Sequence, residues 1–349
     1  MSENKERYIW VDVLNICACA GVLLLHCTNY ALWNFDGNQS ADFFFSIFTH
    51  SFVLWPVDVF FMISGYTLIK RTALPNLLRG GVVSQFYKRR CGRLLLPVIV
   101  WNVYYALMFV HHIYITGEDF PIKEFIVKFL QFEFNGFMWF FIPLIGIYLA
   151  IPYVSILCNA MPRKMLRGFI ILAFCLVCIP ATINIDLGLT KYSHIFLLGC
   201  EYFIFIFLGY YLGNFDISKK TRKVLYFSGV ISAFVILFTE YNNYINETRE
   251  ILIGGYSGIF CTLTAVSMFV YVKNCNFVSS EFLDSKWPRI LAKWSGLSLG
   301  IYLIQNTLLS IILKFDYIDN GFTRFIVMYP LCVLLILIMK QIPYVRKIV

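Results

Sequence analysis

The chain contains ten separate apolar stretches, and each is close to the length that a helix needs to cross a bilayer. A hydrocarbon core of roughly 30 Å takes about 20 helical residues, because a helix rises about 1.5 Å per residue. The pattern therefore predicts an all-α fold, a polytopic membrane bundle of about ten transmembrane helices. The predicted spans are 8–30, 43–69, 94–115, 137–158, 168–183, 195–213, 224–241, 251–272, 291–313 and 323–339, of which the fifth is short and interrupted by Pro180.

The balance of residue types excludes most soluble classes of protein. Of the 349 residues, 59% are hydrophobic and only 14% are charged, which does not suit a cytosolic enzyme, a disordered chain, a collagen-like rod or a disulfide-rich domain. We expect one transmembrane domain over residues 1–349. Cys175 and Cys178 form a CxxC motif without a second pair or a nearby His, which favours core packing, and we expect no metal site.

The positions of the basic residues predict the orientation of the chain. Cytoplasmic segments of membrane proteins are rich in Lys and Arg, and the net charge of +9 therefore does not indicate nucleic-acid binding. Of the 29 Lys and Arg residues, 23 fall in alternate segments that include both termini, and six fall in the others. This distribution predicts a multi-pass protein of the cell membrane with an even number of spans and both termini in the cytoplasm.

His26 lies within the first predicted span, toward its outer end. It lies about 17 residues along the first span, or roughly 26 Å from the cytoplasmic start. An ionisable group inside a span costs about 2.5 to 3.5 kcal/mol on insertion scales, so each one is a functional candidate. A neutral imidazole suits general-base catalysis near neutral pH. The alternative is a His near the helix end that bonds a neighbour or the lipid headgroups.

Three of the acidic residues within the predicted spans are further candidates. Asp58 is surrounded by apolar residues and must face protein or water, so it either bonds a neighbouring helix or orients His26. Glu201 lies at a depth comparable with that of His26, where it would bind a substrate hydroxyl or pair with a surface cation. Asp12 is near the cytoplasmic interface, where we expect a structural role.

Four basic residues, Lys88, Arg89, Arg90 and Arg93, precede the third span. If this segment is helical, Arg90 and Arg93 share a face, because residues three apart are neighbours on a helix. Two guanidinium groups there could bind one polyanion in a bidentate manner, which predicts a cytoplasmic ligand with several phosphates. The alternative is an ordinary basic cluster that contacts acidic headgroups.

Six blocks of sequence occur in a characteristic order along the chain. They are Asp12 to His26, Phe60–Tyr66, the Arg90 and Arg93 pair followed by Pro97, Met138–Phe141, Phe207–Gly213 and Ser298–Ile304. This ordered set, distributed over ten helices, resembles the membrane acyltransferase-3 family, and the resemblance covers essentially the full chain.

The resemblance implies a membrane O-acyltransferase. Such an enzyme takes an acyl group, most often acetyl from cytoplasmic acetyl-CoA, and delivers it to a hydroxyl of a glycan or other envelope molecule at the outer side. The essential His of the family corresponds to His26, and its RxxR motif to Arg90 and Arg93. We expect His26 to remove the hydroxyl proton and Asp58 or Glu201 to support the ring. Acyl-CoA is then a donor substrate, and no permanently bound cofactor is expected.

Two positions depart from the family pattern. Asn15 stands where family members usually carry Arg, and Gln305 stands where His is common. Together with Asp12 and Ser64, these residues are predicted to be structural polar groups within the bundle. A transporter or flippase for a lipid-linked or polysaccharide substrate is the alternative of a different class. Its hallmark would be polar groups along a path and paired discontinuous helices near the midplane.

Overall fold

The computed structural model describes residues 9–69, 72–187, 200–246, 255–275, 282, 284–315 and 317–349, and these ranges contain helices and no strand. Seven helical runs in them are long and apolar enough to cross a membrane. The all-α, multi-pass prediction is therefore confirmed. The seven runs are Ile9–Trp33, Ala41–Leu68, Val82–Thr116, Gly136–Ala160, Arg163–Thr182, Lys219–Ile245 and Gly321–Met339.

Fifteen α-helices are numbered here in chain order. They are α1 (Ile9–Trp33), α2 (Ala41–Phe52), α3 (Pro56–Leu68), α4 (Leu74–Leu77), α5 (Val82–Arg90), α6 (Leu96–Thr116), α7 (Ile122–Gln131), α8 (Phe141–Ala160), α9 (Arg163–Leu187), α10 (Phe203–Asn214), α11 (Lys219–Ile245), α12 (Ile259–Asn274), α13 (Trp287–Ser295), α14 (Ser298–Ile312) and α15 (Gly321–Met339). A π-helical turn, Cys91–Leu95, joins α5 to α6, and a 3-10 turn, Gly136–Phe140, leads into α8.

Each of the ten predicted stretches overlaps an apolar helix among the described residues. Helices α13 and α14 meet at a bend of 51° and together could form one further span. Helices α10 and α12 are shorter apolar helices that match the sixth and eighth predicted spans, whose first residues, 195–199 and 251–254, lie outside the described residues. The number of crossings stays a prediction.

Both ends of the described chain lie on one face of the bundle. The turn between α13 and α14 contacts the second turn of α1, where the Asn15 amide donates to the Ser295 carbonyl oxygen at 2.8 Å. The same turn accepts a hydrogen bond at the Gly296 carbonyl oxygen from Lys340, which follows α15, at 2.5 Å. The start of α1 and the end of α15 are therefore neighbours, as an even number of spans requires. That this face is cytoplasmic remains the prediction from charge.

One prediction about an individual segment was wrong. The fifth span is not interrupted at Pro180, because α9, which is 25 residues long, continues through this residue to Leu187. Membrane helices tolerate an internal proline where neighbouring groups satisfy the freed backbone carbonyl. The segment before the third span is partly helical, since it contains α4 and α5, and the helical run that contains the third span begins at Val82.

Two glycines, Gly65 on α3 and Gly209 on α10, allow close backbone contact between these helices. A Cβ atom at Gly65 would collide with the Ile206 carbonyl oxygen, and one at Gly209 would collide with the Met62 carbonyl oxygen. Small residues permit such approach between membrane helices, where van der Waals packing replaces the hydrophobic effect as the main attraction. The pair fixes the position of α3, which carries Asp58.

We expect Gly209→Ala to lower the thermal unfolding midpoint of the purified protein in detergent. The added methyl group meets backbone rather than a movable side chain, and overpacking of this kind costs about 1 to 3 kcal/mol. Gly146→Ala in α8 is the matched control, since a Cβ there meets nothing within 4 Å. Equal midpoints for the two variants would contradict the close α3–α10 contact.

Candidate functional site

His26 lies on α1, seven residues before the helix ends at Trp33. Its ring stacks on Phe137, with ring centroids 3.7 Å apart and an interplanar angle of 17°. The Nδ1 atom is buried and has no hydrogen-bond partner among the described residues. The Phe137 ring therefore forms an aromatic wall against one face of the imidazole. One of the two imidazole nitrogens has no hydrogen-bond partner among the described residues.

The wall itself is fixed by hydrogen bonds from both sides. Asn135 caps the 3-10 turn by accepting the Phe137 N–H at its Oδ1 atom, at 3.0 Å. The Tyr302 hydroxyl of α14 donates to the Phe137 carbonyl oxygen at 2.6 Å. Sequence reasoning did not assign these roles to Phe137, Asn135 and Tyr302. The only local signal was Asn135, because Asn is a favoured residue at helix N-caps.

The two predicted supporting acids have other partners. Asp58 is completely buried, and its Oδ2 atom accepts the Cys261 thiol at 3.3 Å, whereas Oδ1 has no partner among the described residues. Glu201 precedes α10, and its Oε2 atom accepts the Ser257 hydroxyl at 2.7 Å. No hydrogen bond between either carboxylate and His26 is present in the described residues. The assignment of either acid to the ring stays a prediction.

The basic cluster, defined as Lys88, Arg89, Arg90 and Arg93, lies at the end of α5 and in the π-turn that follows. Arg90 is half-buried with its guanidinium 5.9 Å from the Phe86 ring centroid, and the other three side chains are exposed. None of the four forms a hydrogen bond or ion pair with a described residue. Their positive charge is thus available to an anion.

The π-turn changes the expected geometry of the Arg pair. The sequence predicted an ordinary α-helical spacing between Arg90 and Arg93, but the helix widens at Cys91–Leu95, immediately after Arg90. Single π-helical turns inside longer helices are rare and are frequent at functional sites. Arg90 and Arg93 are therefore separated by part of a π-helical turn, and not by the α-helical turn that the sequence predicted.

The remaining polar candidates are distributed through the bundle. The Asn15 amide bridges α1 to the bend before α14, because it also lies 2.9 Å from the Ser295 hydroxyl and 3.0 Å from that of Ser298. Asp12 and Ser64 are buried. Gln305 on α14 is 1% exposed, and its Nε2 atom has no hydrogen-bond partner among the described residues.

A cavity of about 200 Å³ lies one helical turn beyond His26, at the end of α1. Its lining is polar and aromatic, and the Tyr30 ring is held against it by the Arg324 guanidinium, 4.7 Å from the ring centroid. Such a mixture suits a ligand with several hydroxyl groups. The lining includes Tyr30, Asn34, Phe35, Asp36, Asp42 and Asp319.

Comparisons with known proteins give one match. A family model described as an acyltransferase domain matches residues 8–340, a range that contains His26, the basic cluster and the cavity. The comparison with curated proteins found no match, and neither did the comparison with solved structures.

Proposed function

Because the chain belongs to the membrane acyltransferase-3 family, we propose that this membrane acyltransferase moves an acyl group, most often acetyl, from cytoplasmic acyl-CoA to a hydroxyl of a cell-envelope glycan at the outer side. The observation that carries the proposal is the separation of two features along the bundle axis. Guanidinium groups that have no partner among the described residues lie before α6, and an imidazole with an unsatisfied nitrogen lies near the far end of α1.

The basic cluster supports acyl-CoA as the donor. Coenzyme A carries several phosphates on one end of a long thin arm, and Arg binds phosphate oxygens through paired hydrogen bonds. Helix α6, which follows the cluster, contacts the C-terminal segment, since the Trp101 indole donates to the Ile348 carbonyl oxygen at 2.9 Å. The cluster therefore lies toward the face that holds both ends of the described chain. His26 is roughly 26 Å along α1 from that face.

The proposed reaction uses His26 as a proton carrier. The hydroxyl oxygen attacks the thioester carbonyl carbon while the imidazole takes the hydroxyl proton. The tetrahedral intermediate then expels the thiolate by breaking the carbon–sulfur bond, and the imidazolium returns the proton to sulfur. The products are an ester and free CoA thiol, with no metal or redox step. For Asp58 or Glu201 to support the ring, either carboxylate would have to leave its present partner.

The cavity beyond His26 supports a sugar hydroxyl as the acceptor. Carboxylates and amides can hydrogen-bond to sugar hydroxyls, and aromatic rings can stack on sugar faces. The cavity lies between α1, the segment before α2, and Asp319, which precedes α15. An acceptor bound there would lie about one helical turn beyond His26 along α1.

We expect Asp319→Ala to raise the KM for the acceptor about tenfold, which corresponds to about 1.4 kcal/mol of lost binding. The KM for acetyl-CoA should not change, because the donor binds at the opposite end. Asp119→Ala removes an exposed charge from another predicted external segment and serves as the control. The kinetics can be measured as CoA release with cell-envelope polysaccharide as acceptor. Equal acceptor KM values for both variants would contradict the assignment of the cavity.

Discontinuous helices favour the transporter alternative. The second span is discontinuous, because α2 and α3 are separated by residues 53–55, and α13 and α14 meet at a sharp bend. Discontinuous helices form the substrate sites of many transporters. A carrier would move its substrate without consuming acyl-CoA, which separates it experimentally from the enzyme.

A further inference from the structure

Two buried nitrogen atoms near the site lack partners in the part of the chain that the structure describes. They are Nδ1 of His26 and Nε2 of Gln305, and Gln305 is 1% exposed. A buried polar atom without a hydrogen bond costs about 1 to 3 kcal/mol, so each such group in a native structure calls for an explanation. Sequence reasoning gave Gln305 only a structural role.

The register of α1 and α14 places these two groups at the same depth. The Cys19 thiol lies 3.9 Å from the Ser298 carbonyl oxygen. His26 is seven residues beyond Cys19, and Gln305 is seven residues beyond Ser298. Seven residues make nearly two full turns, so each side chain leaves its helix on about the same face as the contact below it.

Helices α1 and α14 also run in the same direction. Asn15 and Cys19 of α1 contact Ser298 at the start of α14. Farther along both helices, the Tyr302 hydroxyl of α14 donates to Phe137, whose ring stacks on His26 of α1. One buried cluster forms the packed layer among α1, α14 and α15. Advancing along either helix from the Cys19 contact therefore leads toward the same end of the bundle.

The immediate neighbours confirm that both groups border this layer. Leu23 and Cys27 flank His26 on α1, and Ile301 and Leu308 flank Gln305 on α14, and all four belong to the same cluster. The Tyr302 hydroxyl links α14 to the Phe137 wall that stacks on His26. The two unpaired polar groups therefore border the same apolar cluster, one from α1 and one from α14.

We propose that Gln305 is a positioning residue for His26, with its side-chain oxygen accepting a hydrogen bond from Nδ1–H in the working enzyme. Neither atom of the Gln305 amide lies within hydrogen-bond distance of Nδ1 in the described structure, so the side chain changes its rotamer to form this bond. Nδ1 then carries the proton, and Nε2 keeps the lone pair that takes the acceptor hydroxyl proton. The Nε2 atom of His26, unlike its Nδ1 atom, is not buried without a partner in the described structure. The inference rests on the proposed function and gives Gln305 the orienting role first expected of Asp58 or Glu201.

Kinetics of two Gln305 variants test this role. Gln305→Met keeps the size of the side chain but removes every hydrogen bond, and we expect kcat to fall about 100-fold with the KM for acetyl-CoA changed less than twofold. Gln305→Glu keeps an acceptor oxygen, and we expect kcat within about tenfold of the original enzyme. Thr307→Val on the opposite side of α14 is the control, with kcat unchanged. CoA release by purified protein, with cell-envelope polysaccharide as acceptor, gives all values per folded molecule.

A structural role for Gln305 predicts the reverse order. An apolar side chain in an apolar layer would then be tolerated, and a buried charge would be harmful. A Met variant with full kcat, or a Glu variant slower than the Met variant, would overturn the inference. If His26→Ala is inactive while the Met variant is fully active, only the positioning role fails. If His26→Ala keeps full activity, the proposed catalytic function fails as well.

Discussion

His26→Ala is expected to reduce acyl transfer by between about 10²-fold and 10⁴-fold, because it removes the group that accepts the hydroxyl proton. The amount of folded protein should be similar, since the side chain packs on one face of Phe137 and forms no hydrogen bond at Nδ1. The measurement is the acetyl content of envelope glycans by mass spectrometry, together with CoA release by the purified variant.

His111→Ala provides the matched control for this substitution. His111 is exposed on α6 and lies outside the site described above. We expect this variant to acylate the acceptor at the original rate. Full activity of the His26 variant, at equal amounts of folded protein, would remove the proposed mechanism.

Replacing Arg90 and Arg93 together by Ala is expected to weaken acetyl-CoA binding about 100-fold. Each guanidinium would lose a charge-assisted contact worth about 1.5 kcal/mol or more, and every 1.4 kcal/mol is a tenfold change in affinity. Binding of radiolabelled acetyl-CoA to the purified protein measures the effect directly. The rate at saturating acetyl-CoA should change much less than the affinity, because these residues are remote from His26.

The control for the Arg pair is a variant with the same loss of charge on the same predicted side. Lys219 and Lys220 are exposed at the start of α11, and replacing both by Ala should leave acetyl-CoA affinity unchanged. If the Arg variant binds acetyl-CoA as tightly as this control, the basic cluster contacts lipid headgroups rather than the donor.

The helices of the bundle could be predicted from the sequence because span length and hydropathy are local properties. All ten predicted stretches overlap an apolar helix among the described residues, whereas the number of crossings and the cytoplasmic orientation stay predictions. Breaks within the spans were less predictable. The separation of α2 from α3 has a local signal at Pro56, but Pro180 gives the same signal inside the continuous helix α9.

The site could be predicted only in part, since its partners come from distant segments of the chain. The sequence indicated His26 as a candidate from its depth in an apolar span. It did not indicate that Phe137 covers the ring or that Tyr302 holds Phe137, because these contacts depend on how α14 packs beside α1. Asn15 shows the same limit: its amide joins α1 to the bend before α14 across 280 residues of sequence.

Transfer across a sealed membrane tests the central claim most directly, namely that one acyl-CoA molecule is held at the basic cluster and reacts near His26. Purified protein is placed in proteoliposomes with radiolabelled acetyl-CoA inside and cell-envelope polysaccharide outside. We predict that label appears on the external polysaccharide together with an equal amount of CoA inside, and that His26→Ala abolishes both. Label that appears only when both substrates share one side, or movement of polysaccharide without release of CoA, would contradict it.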